Sequence, residues 1–189
     1  KRNTILKALE GAGLDLMAMY SRDRDEIFCK IGCPADKLKQ VAQIMKYKLQ
    51  LKEEYESAFG EYRLDFSGRP EKNYEDRRIV SHLFATNLDT DGVGFGGPGA
   101  IFRTCDRIRI IDHIIRSSDQ GCCGLNIGDY LRDETGGGKK RSGALKHYLP
   151  LHENKRLKEF NQGWWQYFLF ATKIDQVRNY FGERVAMYW

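Results

Sequence analysis

The feature that most constrains this chain is a stripe of apolar residues that follows Pro34. Leu38, Val41, Ala42, Met45 and Leu49 recur at i, i+3, i+4, i+7 and i+11, and Pro34 stands where a first helical residue is expected. This predicts an amphipathic helix of roughly four turns that must bury one side against other elements. Upstream, Ile5, Leu6 and Leu9 with Ala8 and Ala12 form a shorter helical stripe, which Gly11 and Gly13 stop. Leu14, Leu16, Ala18 and Tyr20 alternate with Asp15, Met17 and Met19. After the polar turn Ser21-Arg22-Asp23-Arg24-Asp25 comes the run Ile27-Phe28-Cys29-Lys30-Ile31, so two strands joined by a turn are expected. Tyr62, Leu64 and Phe66 alternate with Arg63 and Asp65 and run into Ser67-Gly68-Arg69-Pro70, which predicts a further strand ending there.

The order is helix, strand, strand, helix, strand. One strand before Lys1 completes the split β-α-β-β-α-β pattern, so the expected class is α+β: a ferredoxin-like antiparallel sheet with two covering helices over residues 1–70. Residues 71–100 change character, from the charged Glu71 to Arg78 through Ile79, Val80, Leu83 and Phe84 to a glycine-rich run, and read as an insert and flexible loop. Ile101, Phe102, Ile108, Ile111, Ile114 and Ile115 predict a second strong helix, and Cys122 to Leu131 a shorter helical piece, within a helical extension over 101–172. Ile174, Val177, Tyr180, Phe181 and Val185 lie at helical spacing in a last segment, 173–189.

Composition excludes two classes. Of 189 residues 41% are hydrophobic and 12% aromatic, too rich in core formers for a disordered chain, while 30% charge is too much for a bundle of membrane spans. The densest apolar patch, Trp164 to Ala171, is about half the length that crosses a bilayer. Five cysteines without a framework spacing favour reduced thiols and a cytosolic setting. The net charge of +5 is spread along the chain and is weak evidence for nucleic acid, for which clustering matters more than the total. The start on Lys1 without Met and the aromatic ending predict a piece of a longer protein.

Several strings invite chemistry and fail on context. Gly92-Val93-Gly94-Phe95-Gly96-Gly97 matches G-x-G-x-x-G, but polar residues precede it where a buried strand is needed and Pro98-Gly99 interrupts the helix that should follow. Asn87, Asp89, Asp91 and Gly92 fit positions 1, 3, 5 and 6 of a calcium loop, whose closing carboxylate is replaced by Pro98. Gly136-Gly137-Gly138-Lys139-Lys140 lacks the spacing of a phosphate loop. Lys139, Lys140 and Arg141 remain candidates for contact with anionic lipid headgroups, against the plainer reading of a solvated loop. Cys29-x3-Cys33, Cys122-Cys123 and His147-x4-His152 lack zinc-site spacing. On one helix Cys105 and His113 stand about 12 Å apart, beyond hydrogen-bond reach. No catalytic constellation emerges, and the chain is read as a non-enzyme with no metal or cofactor site of its own.

The ending, Asp175 to Trp189, resembles the segment before the first transmembrane helix of the anoctamins, a family of calcium-activated chloride channels and lipid scramblases, which reads approximately R-x-Y-F-G-E-K-x-x-x-Y-F. Arg178, Tyr180, Phe181, Gly182, Glu183, Arg184, Tyr188 and Trp189 carry the match. Ile101 to Arg109 is similar to the family's F-F-x-x-x-x-R-x-R/K helix start, Gly124 to Leu131 to its G-I-x-x-L-L piece, and Tyr148 to Glu153 to its Y-P-L-H-D turn. Gly13-Leu14-Asp15-Leu16 and Ile31-Gly32-Cys33-Pro34 agree in pattern only. The sequence departs from familiar members over 57–99 and 136–143.

The resemblance implies the N-terminal cytosolic regulatory and assembly domain of a multi-pass parent, at the cytosolic face of the plasma membrane or an intracellular one. The implied partners are the parent's own transmembrane part, a second subunit in a homodimer, and the membrane surface at the C-terminal end; nucleic acid is not among them. Calcium would be held by acidic residues on later transmembrane helices, outside this chain. Trp164, Trp165, Tyr167, Tyr188 and Trp189 are rings that favour the headgroup zone, with Lys173, Arg178 and Arg184 supplying cytosolic-side charge. The 164–170 group fits a packed core equally well, whereas 180–189 reads as membrane-proximal. The alternative is a stand-alone ferredoxin-like RNA-binding module, which needs aromatic rings on its open sheet face where Leu14, Leu16, Ile27 and Ile31 are aliphatic. A nucleotide-dependent enzyme rests on the glycine string alone.

Overall fold

A computed structural model of the chain describes residues 2–52, 54–55, 63–64, 70–75, 83–84, 101–131, 143–152, 154, 157–158 and 174–188. Its elements are α1 (Arg2–Gly11), β1 (Asp15–Tyr20), β2 (Ile27–Gly32), α2 (Ala35–Ile44), β3 (Lys48–Gln50), β4 (Arg63–Leu64), β5 (Pro70–Asn73), α3 (Thr104–Arg116), a 3-10 turn (Ile127–Asp129), α4 (Ile174–Phe181) and α5 (Glu183–Ala186). The molecule is α+β, and its first four elements follow the expected order, with β3 standing before the strand expected around 62–66. The strands assort into two antiparallel sheets, β1-β2 and β3-β5-β4, where one sheet was expected.

Two compact units are distinguished, Lys1–Leu38 with Ile110–Glu153 and Lys39–Arg109 with Asn154–Trp189. In the first, β1 and β2 pair from Asp15 opposite Gly32 to Tyr20 opposite Ile27. Because side chains alternate along a strand, Met17, Met19, Phe28 and Lys30 share one face, and Leu16, Ala18, Cys29 and Ile31 the other. Arg24 takes a left-handed φ of 58° in the turn, where Ser21 Oγ accepts the Asp25 and Glu26 amides. Ile5, Leu9, Ala12, Leu14, Ile114 and Leu125 are among the buried side chains. After α3 the chain folds back on the helix end, with the amides of Cys123, Gly124 and Leu125 donating to the carbonyls of Ile114, Ser117 and Ile115. Cys122 to Leu131, expected as a helical piece, is irregular except for the 3-10 turn, because its first amides are spent on α3 carbonyls.

The second unit corrects the sequence reading in two places. The helix after Pro34 was expected to reach Leu49, but α2 stops at Ile44 and Leu49 is buried in β3. Lys46 at φ 50° makes the stop. Its amide donates to Gln43 O at 3.1 Å and the Tyr47 amide to Ala42 O at 2.8 Å, the paired bonds of a Schellman cap. Gly13, at φ 76°, ends α1 the same way, its amide reaching Glu10 O and that of Leu14 reaching Leu9 O. A lysine rarely takes this conformation, so the second stop had no visible marker.

The charged stretch after Pro70 is not a plain insert. Pro70–Asn73 is the middle strand of its sheet, with Leu49 opposite Lys72 and Arg63 opposite Glu71. The ladder bonds are made by backbone and tolerate charged side chains, and Pro70 sits at the first position, where a missing N–H is tolerated. Tyr62, Asp65 and Phe66, the rest of the strand expected around β4, lie outside the described residues.

Replacing Lys46 by glycine removes the left-handed penalty at the α2 cap, offset in part by the added freedom of the unfolded chain. We expect Lys46→Gly to stabilise the protein by about 0.5–1 kcal/mol, read as a higher urea midpoint at unchanged slope. An unchanged or lower midpoint contradicts the cap assignment.

Candidate functional site

The second unit is organised around one carboxylate. Asp106, in the first turn of α3, is 0% exposed. Its Oδ2 accepts the Arg103 backbone amide at 3.0 Å and Arg103 Nε at 2.9 Å, while Oδ1 accepts Arg103 Nη2 at 3.1 Å and the Tyr47 hydroxyl at 2.8 Å. Arg103 directly precedes the helix. Asp106, three residues on, therefore makes the back-reaching half of a capping box, and the guanidinium adds a bidentate charge-assisted pair. A buried carboxylate is costly unless its lone pairs are met, and here four donors meet them.

Tyr47 joins this carboxylate to the rest of the unit. Its amide closes the α2 cap, its carbonyl accepts the Tyr74 amide at 2.7 Å at the end of β5, and its hydroxyl donates to Asp106. Tyr74 is buried, with its ring 5.5 Å from that of Phe84 and 5.2 Å from that of Phe102. Burial, and then the Asp106 charge, push the Tyr47 phenol far above the ordinary tyrosine range. A hydrogen bond from Arg109 works the other way.

The same two turns of α3 receive the C-terminal segment, at Cys105 and Arg109. The Cys105 thiol is buried, with Sγ 3.7 Å from Asp106 Oδ1 and 3.8 Å from the Arg178 carbonyl, which also accepts the Gly182 amide at 2.8 Å. Gly182 separates α4 from α5 at φ 94°, and a Cβ placed there would stand 2.7 Å from Arg109 Nη2. The backbone conformation calls for glycine, whereas the near atom is the far end of an exposed arginine side chain that can shift aside.

The residues singled out in the ending divide. Arg178 is 5% and Tyr180 3% exposed, with the Tyr180 and Phe181 rings edge to face at 4.7 Å, and Gly182 is buried. Arg178 therefore does not offer its charge to a membrane surface within this unit. Glu183 opens α5, Arg184 and Val185 are exposed, and Met187 and Tyr188 are 59% and 93% exposed. Trp189, Lys139, Lys140 and Arg141 lie outside the described residues, as do the glycine string, the calcium-loop residues and the 164–170 aromatics.

In the first unit, Asp112 accepts from the Tyr148 hydroxyl at 2.9 Å and from Arg116 Nε at 2.8 Å. Asp119 accepts from Ser117 at 2.7 Å and lies 3.1 Å from His113 Nε2, contacts that hold its carboxyl below the usual range. Cys122 and Cys123 are half-buried thiols raised by desolvation. Among the described residues no group of three His, Cys, Asp or Glu is placed to hold a metal ion, and no helix is long and apolar enough to cross a membrane. Sequence reasoning missed Tyr47, Arg103 and Arg109. The Arg103-x-x-Asp106 spacing is the one signal that could have found part of the network, and it is masked because the capping position carries arginine in place of serine or threonine.

The phenol gives a pH test. Its folded pKa lies above its unfolded value of about 10, so folding favours the protonated form. The stability this provides is intact below about pH 10 and is lost above it, by about 1.4 kcal/mol for each further pH unit. Urea titrations at pH 9 and 11 should show a smaller alkaline loss in Tyr47→Phe than in the unaltered protein, by about 1.4 kcal/mol. Equal losses would show that the hydroxyl is not held as described.

No protein-family model matches the chain, and no solved structure matches it. Anoctamin-10 of Mus musculus is 41% identical to it over 51 residues, which cover 25% of this chain and 7% of the relative. Anoctamin-10 of Homo sapiens is similar to the same extent, 41% over 51 residues, again 25% of this chain and 7% of the relative. The chain thus has a short local similarity to anoctamins, spanning a small part of those relatives' length.

Proposed function

We propose that this chain is the N-terminal cytosolic regulatory and assembly domain of an anoctamin-like membrane protein, a calcium-activated ion channel or phospholipid scramblase. Its work is to dock the parent's transmembrane part and a second subunit, with its C-terminal end facing the membrane surface. The supporting observation is the division of the ending: Val177 to Gly182 is built into the unit, whereas Arg184, Val185, Met187 and Tyr188 point a cation and three apolar or amphipathic side chains outward. An arginine beside exposed apolar side chains and an amphipathic ring is the composition of a segment meeting a headgroup layer. The local similarity to Anoctamin-10 supports the family. Calcium belongs in this reading to transmembrane helices beyond the chain.

The RNA-binding alternative gains little. On the β1-β2 face that carries Met17, Met19 and Lys30, Phe28 is the one aromatic ring, where base stacking uses two or three.

The parent should continue past Trp189 into a hydrophobic span within about twenty residues, and a polar continuation contradicts the proposal. Residues 1–189 should also float with vesicles containing phosphatidylserine. Met187→Ser with Tyr188→Ser should lower the bound fraction about tenfold or more, given about 1.5–3 kcal/mol for burying a large apolar side chain. Equal flotation of the two proteins would exclude this end as the membrane-facing surface.

A further inference from the structure

In the first unit, β1 offers a strand edge that the fold leaves open. β1 and β2 form a two-stranded sheet, and among the described residues no other strand pairs with either. Their register runs without a bulge from Asp15 opposite Gly32 to Tyr20 opposite Ile27. Met17, Ala18, Met19 and Tyr20 are exposed, as are Ile27, Phe28 and Cys29 on β2. Such an edge is a template for another strand, and proteins that stay apart guard it with lysine, proline, a bulge or a very short strand. β2 carries Lys30. β1 has six residues, and from Leu16 to Tyr20 it holds neither a charge nor a proline. A two-stranded ribbon with exposed side chains on both faces is marginal by itself, so a further strand adds stability where it is lacking.

We propose that the β1 edge is an interface between two copies of this chain, paired antiparallel across a two-fold axis at Ala18. This rests on the second subunit in the function proposed above and names the surface that meets it. Self-complementarity selects the occupant. Antiparallel pairing centred on Ala18 sets Met17 opposite the partner's Met19 and Leu16 opposite the partner's Tyr20, so all five uncharged residues are paired and no two charges face each other. Because opposite residues share a face, Phe28, Met19 and the partner's Met17 make one apolar row, and the axis generates its equal. The two Lys30 side chains stand at least three strand spacings apart, about 14 Å, beyond the screening length of about 8 Å. An anionic membrane or a nucleic acid calls for several cations, whereas Lys30 is the one cation in the two strands. One strand edge on each side gives less than the about 800 Å² per partner of a standard interface. The isolated dimer is therefore weak, and it strengthens where a common parent holds two copies close.

A weak dimer is best read by trapping it. Ala18→Cys, Met17→Cys and Met19→Cys are each placed in a Cys29→Ser background of the 1–189 protein, oxidised with glutathione disulfide, and followed as covalent dimer above the background rate. All three positions are exposed, so the substitutions leave the core alone. Directly opposite Cβ atoms lie about 4.5–5.5 Å apart, near disulfide distance. The register predicts that Ala18→Cys crosslinks about tenfold faster than Met17→Cys or Met19→Cys alone, and that mixing Met17→Cys with Met19→Cys chains brings back the fast rate. Equal rates at all three positions, or no gain on mixing, overturn the interface, and a ribbon that takes a strand of another protein or meets lipid gives that result. Vesicle flotation reads the C-terminal end separately. Equal crosslinking with flotation intact therefore overturns the ribbon interface alone and leaves the membrane-facing reading standing.

Discussion

The hydrogen bond from Tyr47 to Asp106 is the contact on which the second unit depends. A carboxylate with no exposure is tolerated only where donors replace its water, and Asp106 finds them in one tyrosine, one guanidinium and one helix-capping amide. Tyr47 in turn makes three commitments at once: to the α2 cap with its amide, to Tyr74 with its carbonyl, and to Asp106 with its hydroxyl. Few residues could replace it, because phenylalanine keeps the first two and leaves the carboxylate one donor short. Removing Asp106 itself would strand the Arg103 guanidinium, which is 13% exposed, and breaking such a pair costs about 3–5 kcal/mol.

The same hub explains why the ending has two characters. Val177, Arg178, Tyr180 and Gly182 are buried, with the Arg178 carbonyl and Gly182 beside Cys105 and Arg109 of α3, so this part of the string packs, and only beyond Gly182 does the chain turn outward. A motif that looks membrane-proximal throughout when read as a string is a packed anchor followed by a short presented end. Under the proposed function this is a mechanical arrangement: the anchor fixes where the presented end starts.

How much of this was legible follows from what each residue had to declare. The α1 stripe with its Gly13 stop, the β1-β2 pair and the α3 isoleucines announce themselves by period and punctuation, and the structure has them where expected. The α2 stop was hidden because a lysine occupies the left-handed cap. β5 was hidden because ladder bonds leave no apolar alternation in Pro70-Glu71-Lys72-Asn73. Of the candidate site, the family-like ending was visible as letters. Tyr47 was not, since nothing local in Lys46-Tyr47-Lys48 shows that its hydroxyl will meet a carboxylate 59 residues away. Long-range polar pairing has no short-range period, and that is why the network is the part the sequence conceals.

Native-state hydrogen exchange on Asp106→Ala tests the central claim most directly. The amides of Tyr74, Arg107 and Gly182 donate to the carbonyls of Tyr47, Arg103 and Arg178, in three separate parts of the second unit. If the carboxylate organises that unit, all three should lose protection together, by about a hundredfold or more for a loss near 3 kcal/mol, while the Cys123 and Leu125 amides at the α3 end keep theirs. Loss confined to Arg107, with Tyr74 and Gly182 protected as before, would reduce Asp106 to a local helix cap and contradict the account.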